Sequence, residues 1–427
     1  MCTPGKRSFL TVSVGLASIG LASPCWGAGP WLSETGGADM GMAGAGRAAL
    51  SLDATSLAAN PAAMAGLTRT TVTAAAMPFE LDFEFQGSDA TPARATNREG
   101  TNIVPALFAV HRADRLTCGI GVYSYFGLSF DSGNQWEGRR VIEQAGLATL
   151  NIAPGVAWQA TDRLTIGVSV AAQMAEPTAR LAVANDATFY GPPVGLPDGQ
   201  LELSGQSWAA GGQLGLTYAL TESSTIGLAW TAPVEHSVAF DISARDLHPV
   251  LVTLLPPDGA AKLEVTLPQQ LLLGVTQRVN DDTMLALGLS WQDWSDFGES
   301  KLKLPGSSSP MIANGLQDTW GASIGVRRTF SDDWAASTGV SYESNPATAG
   351  GTPAYFPVAE QWRIAAGAER SFNDAWRLRA ELSVILQGTA DVVQLTHPLP
   401  LPGIPPLTGE YQDTRVYMLA IAADFTL

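Results

Sequence analysis

Trp376-Arg377-Leu378-Arg379-Ala380-Glu381-Leu382-Ser383-Val384-Ile385-Leu386-Gln387 is the stretch on which the fold turns. Trp376, Leu378, Ala380, Leu382, Val384 and Leu386 share one parity; Arg377, Arg379, Glu381, Ser383 and Gln387 share the other, with Ile385 the one exception. Successive side chains of a strand point to opposite faces, so this segment is a strand with one apolar face and one that accepts charge. Leu285, Leu287, Leu289 and Trp291 repeat the beat against Ala286, Gly288, Ser290 and Gln292, as do Leu164, Ile166, Val168 and Val170 against Thr165, Gly167, Ser169 and Ala171. In a soluble sandwich the apolar parity is the core. In a membrane barrel it meets lipid, and the polar parity lines a lumen. Periodicity leaves both open.

Connection lengths separate them. Asp114 to Thr117, Asp162 to Thr165, Ser223 to Ile226, Asp281 to Met284, Asp332 to Trp334 and Asn373 to Trp376 are short polar turns that each open a run of period two. Between them lie long connections near 87–101, 130–145, 183–201, 244–261, 305–316, 344–359 and 391–412. Strict alternation of short and long is the asymmetry of an up-and-down barrel with tight periplasmic turns and long outer loops. Adding an opening strand near Thr70 to Phe85 and a closing one near Arg415 to Leu427 gives fourteen strands, an even number that leaves no open edge for lipid to meet. In the last strand Tyr417, Leu419, Ile421, Ala423, Phe425 and Leu427 share a parity, resembling the signal read by barrel-assembly machinery, with Leu in place of the usual terminal aromatic. Trp158, Trp334 and Trp376 near the turns form an interfacial girdle or are ordinary strand aromatics.

Residues 1–27 read as an export signal: Lys6 and Arg7, an apolar run from Phe9 to Ala22, then small residues, with cleavage expected after Gly27. The chain beyond has 22 basic and 40 acidic residues, a net charge near −18, which argues against a nucleic-acid partner. Cys118 is its single cysteine, so no internal disulfide is available. No apolar run after residue 27 reaches the ~18–20 residues of a spanning helix.

From Gly36 to Gly66, 17 of 31 residues are Gly or Ala, with no alternation and no turn signals. Small side chains let a chain pack closely inside something else, so this segment reads as a plug. A disordered tail is the alternative, against which Met40, Met42, Leu50, Leu52 and Leu57 argue. The expected organisation is a signal over 1–27, a hatch over 28–67 and a barrel over 68–427. The fold class is all-β: a fourteen-stranded antiparallel transmembrane β-barrel with an N-terminal hatch inside its lumen.

Ala28-Gly29-Pro30-Trp31-Leu32, the small-residue stretch and Asn60-Pro61-Ala62 resemble the N-terminal hatch of the outer-membrane long-chain fatty-acid and aromatic-hydrocarbon transporters. Phe126-Gly127-Leu128 resembles their third strand. Leu267-Pro268, Gly274-Val275 and Trp291-Gln292-Asp293-Trp294-Ser295 resemble their central strands, and Tyr342-Glu343-Ser344-Asn345-Pro346 with Phe356-Pro357 a later loop. The resemblance covers nearly all of the chain after the signal. It implies an outer-membrane protein with no energy source of its own. Outer loops would capture a ligand, a pocket in the barrel would hold it, and a gap at an inward kink of the third strand would release it sideways. Gly127 carries over to that kink, with Gly119 and Gly121 as further candidates; glycine in a strand permits a bend. The fifth strand has Glu176 and Pro177 where a basic residue for a fatty-acid carboxylate is sought, so a neutral or aromatic hydrophobe stands beside a fatty acid as expected cargo.

Two outer connections are too apolar for solvated loops, one with Val250, Leu251, Val252, Leu254 and Leu255, the other with Leu399, Leu401 and Leu407 among prolines. They are the expected capture surface, or a lid in which the two pack together. His111, His236, His248 and His397 have no metal-ligand spacing, so no metal and no cofactor are expected. His236 and Ser237 adjoin but point to opposite faces of a strand, which argues against an outer-membrane phospholipase or protease. A general aqueous porin is the other alternative. The expected partners are a hydrophobic ligand, outer-membrane lipid and lipopolysaccharide and the barrel-assembly machinery, with the chain a monomer.

Overall fold

A computed structural model describes residues 28–31, 35–90, 92–185, 197–311, 315–395, 397–399, 401 and 404–427. The expected export signal lies outside the described residues. Fourteen antiparallel strands make the wall: β1 Thr71–Gly87, β2 Asn102–Ala113, β3 in two pieces, Leu116–Tyr123 and Phe126–Asp131, β4 Gln144–Gln159, β5 Leu164–Val183, β6 Ser207–Ala219, β7 Ser224–Thr231, β8 Gln270–Arg278, β9 Thr283–Gln292, β10 Thr319–Thr329, β11 Trp334–Glu343, β12 Gln361–Ser371, β13 Trp376–Gln387 and β14 Leu407–Thr426. Each pairs with the next. β14 closes on β1 from Thr71↔Thr426 to Gly87↔Gly409, with one shift between Asp82 and Glu84.

Burial settles which parity meets lipid. On β13, Arg379, Glu381 and Ser383 are 2%, 1% and 0% exposed, while Leu378 and Leu382 are 45% and 52% exposed. A soluble sandwich would invert these values. The charged face is the lumen, and the apolar face is turned to the bilayer. Outward aromatics form two belts. Trp158, Phe330, Trp334, Phe372 and Trp376 stand at the short turns; Trp208, Trp320 and Trp362 stand at the other end. Trp320 and Phe330 bracket β10 and Trp362 and Phe372 bracket β12, a span of about ten residues that rises roughly 25 Å in tilted strands, the height of a hydrocarbon core.

The outer connections are more structured than their sequences suggested. Val234–Ala239, Lys262–Leu267, Lys301–Leu304 and Ser307–Pro310 form a separate four-stranded sheet, hereafter the loop sheet. Among the described residues no helix is long and apolar enough to cross a membrane.

Residues 35–67 lie inside the barrel as turns and short helical pieces at Met40–Met42, Ser56–Ala59 and Ala63–Gly66. The small residues matter on both sides of this contact. A Cβ at Gly227 of β7 would land on the Ala48 carbonyl, and one at Gly339 of β11 on that of Met42, so the backbones meet where wall and inner segment both lack bulk. Arg379 of β13 is the polar anchor: it donates to the Gly36 carbonyl at 3.0 Å and lies 3.3 Å from Asp53, with Glu381 and Asp424 on its other sides at 3.1 and 3.0 Å. Arg377 donates to the Leu52 carbonyl and Arg112 of β2 to that of Ala65.

Candidate ligand pocket and wall opening

The ladder of the wall fails at β3. Its first piece pairs with β2 from Leu107↔Val122 to Ala113↔Leu116; beyond Leu107, β2 pairs only with β1. The second piece keeps β4 as one neighbour, and its other edge is taken by the N-terminal strand Ala28–Trp31, with Gly29 opposite Gly127. The direct β2–β3 ladder is therefore interrupted between the outer half of β2 and Phe126–Asp131, where the N-terminal strand lies along the free edge and the Arg98 amide donates to the Asp131 carbonyl at 2.7 Å. A broken ladder strands backbone carbonyls, which cost free energy unless bonded. Here β4 supplies the donors: Thr149 Oγ1 donates to the Phe126 carbonyl at 2.6 Å and Asn151 Nδ2 to that of Tyr123 at 3.3 Å.

Beside the break lies a cavity of about 150 Å³. Its walls are Phe126, Leu147, Leu181, Leu203 and Phe240, then Leu263, Val265 and Leu302 of the loop sheet, with Phe297, Phe356 and Leu399 from the outer loops. The rings form one cluster: Phe126 lies 5.6 Å from Phe297, which stacks on Phe356 at 5.2 Å. Three of its four polar side chains are hydrogen-bonded within the protein, and the fourth is Thr178. Ser300 Oγ donates to the Phe297 carbonyl at 2.6 Å and the Tyr355 hydroxyl to that of Met311. His397 Nε2 faces the Val141 carbonyl at 3.1 Å, and Nδ1 accepts from the Leu399 amide at 3.1 Å, so the ring is a neutral Nε2–H tautomer. Burial pushes its pKa below the ordinary histidine value. Among the described residues no arginine or lysine lines the cavity.

Next to this apolar pocket is a buried polar chain. Gln173 of β5 donates to Tyr125 Oη at 3.1 Å and Asn151 Oδ1 at 2.8 Å, and its own oxygen meets His236 Nε2 at 3.0 Å. His236 Nδ1 in turn faces the Ser207 hydroxyl at 2.8 Å. The serine that approaches His236 is thus on a neighbouring strand, while Ser237 points away. None of Ser207, His236 and Gln173 lines the pocket, and they tie the loop sheet to β5 and β6.

The sequence profile of the outer membrane protein transport family (OMPP1/FadL/TodX) matches residues 19–394. The chain belongs to this family.

This family member is a protein of the bacterial outer membrane. The long-chain fatty acid transport protein of Escherichia coli O6:H1 is 25% identical over 398 residues, covering 86% of this chain and 88% of its own. That of Salmonella typhi is 24% identical over 393 residues, covering 86% and 89%. A crystal structure of a Pseudomonas aeruginosa FadL homologue shares the fold at a TM-score of 0.79, with 18% identity over 93% of this chain and 99% of that one. The Ralstonia pickettii toluene transporter TbuX shares it at 0.66, with 18% identity over 94% and 99%.

In this OMPP1/FadL/TodX member the residues singled out from the sequence scatter around the pocket. Asn60 is fully buried; its Nδ2 donates to the Ala48 carbonyl and to the Leu216 carbonyl of β6 at 3.0 Å, and its Oδ1 accepts from the amide of Ala62, across Pro61. Gly127 lies in the second piece of β3, where the pairing with the N-terminal strand shifts register between Gly29 and Trp31, and the break in the strand falls at Ser124-Tyr125. Gly119 and Gly121 stay in ladder, paired with Val110 and Phe108. Leu399 lines the pocket and Leu401 packs behind it, whereas Leu407 is buried in a separate cluster with Phe85 and Tyr411. Pro249–Leu254 is a short helix with Leu251 buried, Val250, Val252 and Leu254 exposed, and Leu255 packed on the core beyond it. None of these five lines the pocket. The walls missed from the sequence are Phe240, Leu263, Val265, Phe297, Leu302 and Phe356; the alternation of Leu263, Val265 and Leu267 was the available signal.

Proposed function

We propose that this chain transports small neutral hydrophobic molecules, about the size of one aromatic ring, into the outer membrane. The pocket beside the break in β3 carries the reading. An apolar cavity of this volume, about 150 Å³, is large enough for benzene. Its described lining offers no cation to a carboxylate, and Ser300, Tyr355 and His397 are already bonded. Burying an ionised head there would leave the charge unpaired, whereas a neutral ring loses nothing. Some relatives are named for toluene and others for long-chain fatty acids; the cavity's size and chemistry favour the first class.

The route fits the same chemistry. A hydrophobe held against Phe126 is next to the opening between β2 and the second piece of β3, so it reaches lipid without crossing water. Residues 28–67 act as the hatch, with Asn60-Pro61-Ala62 holding its shape, and Gly127 lets the N-terminal strand sit close at the opening. The exposed helix Pro249–Leu254 and the segment containing Leu399, Leu401 and Leu407 take up the ligand from outside. The pore is not an aqueous porin in this reading, and the buried Ser207–His236 pair is a structural tie rather than a hydrolytic site.

The test is competition at the purified protein. A fluorescent aromatic probe is displaced by toluene and, separately, by palmitate. Displacement by toluene with palmitate inert supports the proposal. Displacement by palmitate alone would replace it with fatty-acid transport.

A further inference from the structure

We infer that the outer face of the loop sheet binds the phosphorylated inner core of lipopolysaccharide through Lys262, Lys301 and Lys303. These are the only three lysines after residue 27 in a chain that is otherwise strongly acidic. They share one exposed face. Lys262 is directly opposite Lys303, and Lys301 directly opposite Glu264. Glu264 pairs with Lys303 at 2.5 Å, while no ion pair within 4 Å is made by Lys262 or Lys301 among the described residues. Like charges directly opposite on a sheet are destabilising. Glu264 offsets only Lys303 of the facing pair Lys262 and Lys303, so a further anion is accommodated between them.

The face looks the right way. Leu263, Val265 and Leu302 on the other side of the sheet wall the pocket, and His236 on that side bonds to lumen-facing Gln173. The lysine side is therefore turned away from the barrel axis, over the outer leaflet. The sheet continues β7 and β8 through Ala232-Pro233 and Pro268-Gln269, where the exposed parity shifts by one residue in both chains. Lys262 lies about nine residues beyond lipid-facing Leu271, which places it roughly 20 Å above the hydrocarbon edge in tilted strands, at the height of a sugar core rather than of acyl chains.

The alternative contact at the base of the sheet is unfavourable to a phosphate. Burial and repulsion from Asp293, Glu299, Asp318 and Glu235 raise the Asp296 carboxyl above its ordinary value. Anions are repelled from that level and accepted at the lysines above it.

The full chain in detergent micelles, in low-salt buffer with EDTA, is titrated with rough lipopolysaccharide carrying a phosphorylated inner core. The same material stripped of core phosphates serves as comparison. Binding to the intact lipid is expected to weaken about tenfold to a hundredfold in K262S/K301S/K303S and to return in K262R/K301R/K303R, with the stripped lipid binding the parent as weakly as the intact lipid binds the serine variant. Heat-modifiable migration and aromatic-probe binding in the pocket confirm that the variants are folded. Equal binding of parent and serine variant would overturn the inference. So would indifference to the core phosphates, or binding that appears only when magnesium replaces EDTA, since that would assign contact to the carboxylates instead.

Discussion

His236 reaches from the loop sheet into the lumen and places Nε2 3.0 Å from Gln173 Oε1. The Gln173 amide donates elsewhere, so its oxygen faces the ring, Nε2 carries the proton and Nδ1 accepts from Ser207. Burial pushes the histidine down to about 4 from its ordinary 6.5. The sheet when detached binds more protons than when docked. Docking is fully supported above pH 6.5 and weakens as pH falls from there towards 4, by up to about 3 kcal/mol. A neutral aromatic probe, which does not titrate itself, should bind with constant affinity above pH 6.5 and progressively more weakly below it. His236→Gln should flatten most of that slope and leave a remnant from His397. A flat profile in the parent would show that docking does not govern the pocket.

Arg379 is surrounded by Asp53, Glu381 and Asp424 and holds the Gly36 carbonyl. Removing one member of a buried ion network costs about 3–5 kcal/mol, because the charges left behind are unpaired. Arg379→Ala should leave an assembled barrel whose inner segment is loose. The expected readout is a lower temperature of heat-modifiable migration together with larger, noisier single-channel conductance. Conductance unchanged from the parent would mean the segment is held without this arginine.

The barrel was legible in the sequence because lipid demands strict alternation and closure demands alternating connection lengths; the parity of Leu378 and Arg379 gives β13 one apolar and one charged face, and the connection lengths turn the first to lipid. The pocket was far less legible. Leu263 and Val265 alternate as any half-buried strand does, and nothing local says that their partners are Leu302, beyond two barrel strands, and Phe126, on another side of the mouth. The family resemblance carries an inward kink of β3 over to Gly127, where glycine permits bending. The two pieces of the strand part at Ser124-Tyr125, where Thr149 and Asn151 of the next strand bond the Phe126 and Tyr123 carbonyls, a condition visible only in three dimensions.

Deleting residues 36 to 66 should convert a low-conductance barrel into an open channel. A gentler form uses Gly227→Val: the added Cβ would occupy the place of the Ala48 carbonyl, which must move. Raised conductance in both, with normal insertion, is expected. A parent-like conductance in the deletion would show that the inner segment does not close the lumen.

Gly127→Val should impair release rather than binding. Gly127 faces Gly29 on one side and Ala148 on the other, and a β-branched residue favours a regular, filled ladder there. Probe affinity in micelles should stay within about twofold of the parent while uptake into cells drops about tenfold, the signature of a lost exit step. Parent-level uptake in a properly inserted variant would remove Gly127 from the route.

Capture and storage should separate between the two sets of apolar outer residues. Phe297 stacks on Phe356 and faces Phe126 across the pocket, so Phe297→Ala removes ligand contacts where the ligand rests. A loss of about tenfold to a hundredfold in affinity is expected, from the roughly 1.5–3 kcal/mol that burial of one large apolar side chain contributes. The helix Pro249–Leu254 does not line the pocket, and its exposed Val250, Val252 and Leu254 meet solvent first. Replacing Leu251, Leu254 and Leu255 with Ser together should therefore slow association while changing dissociation little. Stopped-flow mixing with a fluorescent aromatic hydrocarbon and a fluorescent fatty acid reads both rates. A slower association for both ligands would assign the helix to general capture, and for one alone would identify the preferred class. Unchanged association for both would leave Leu399 and its neighbours as the point of entry.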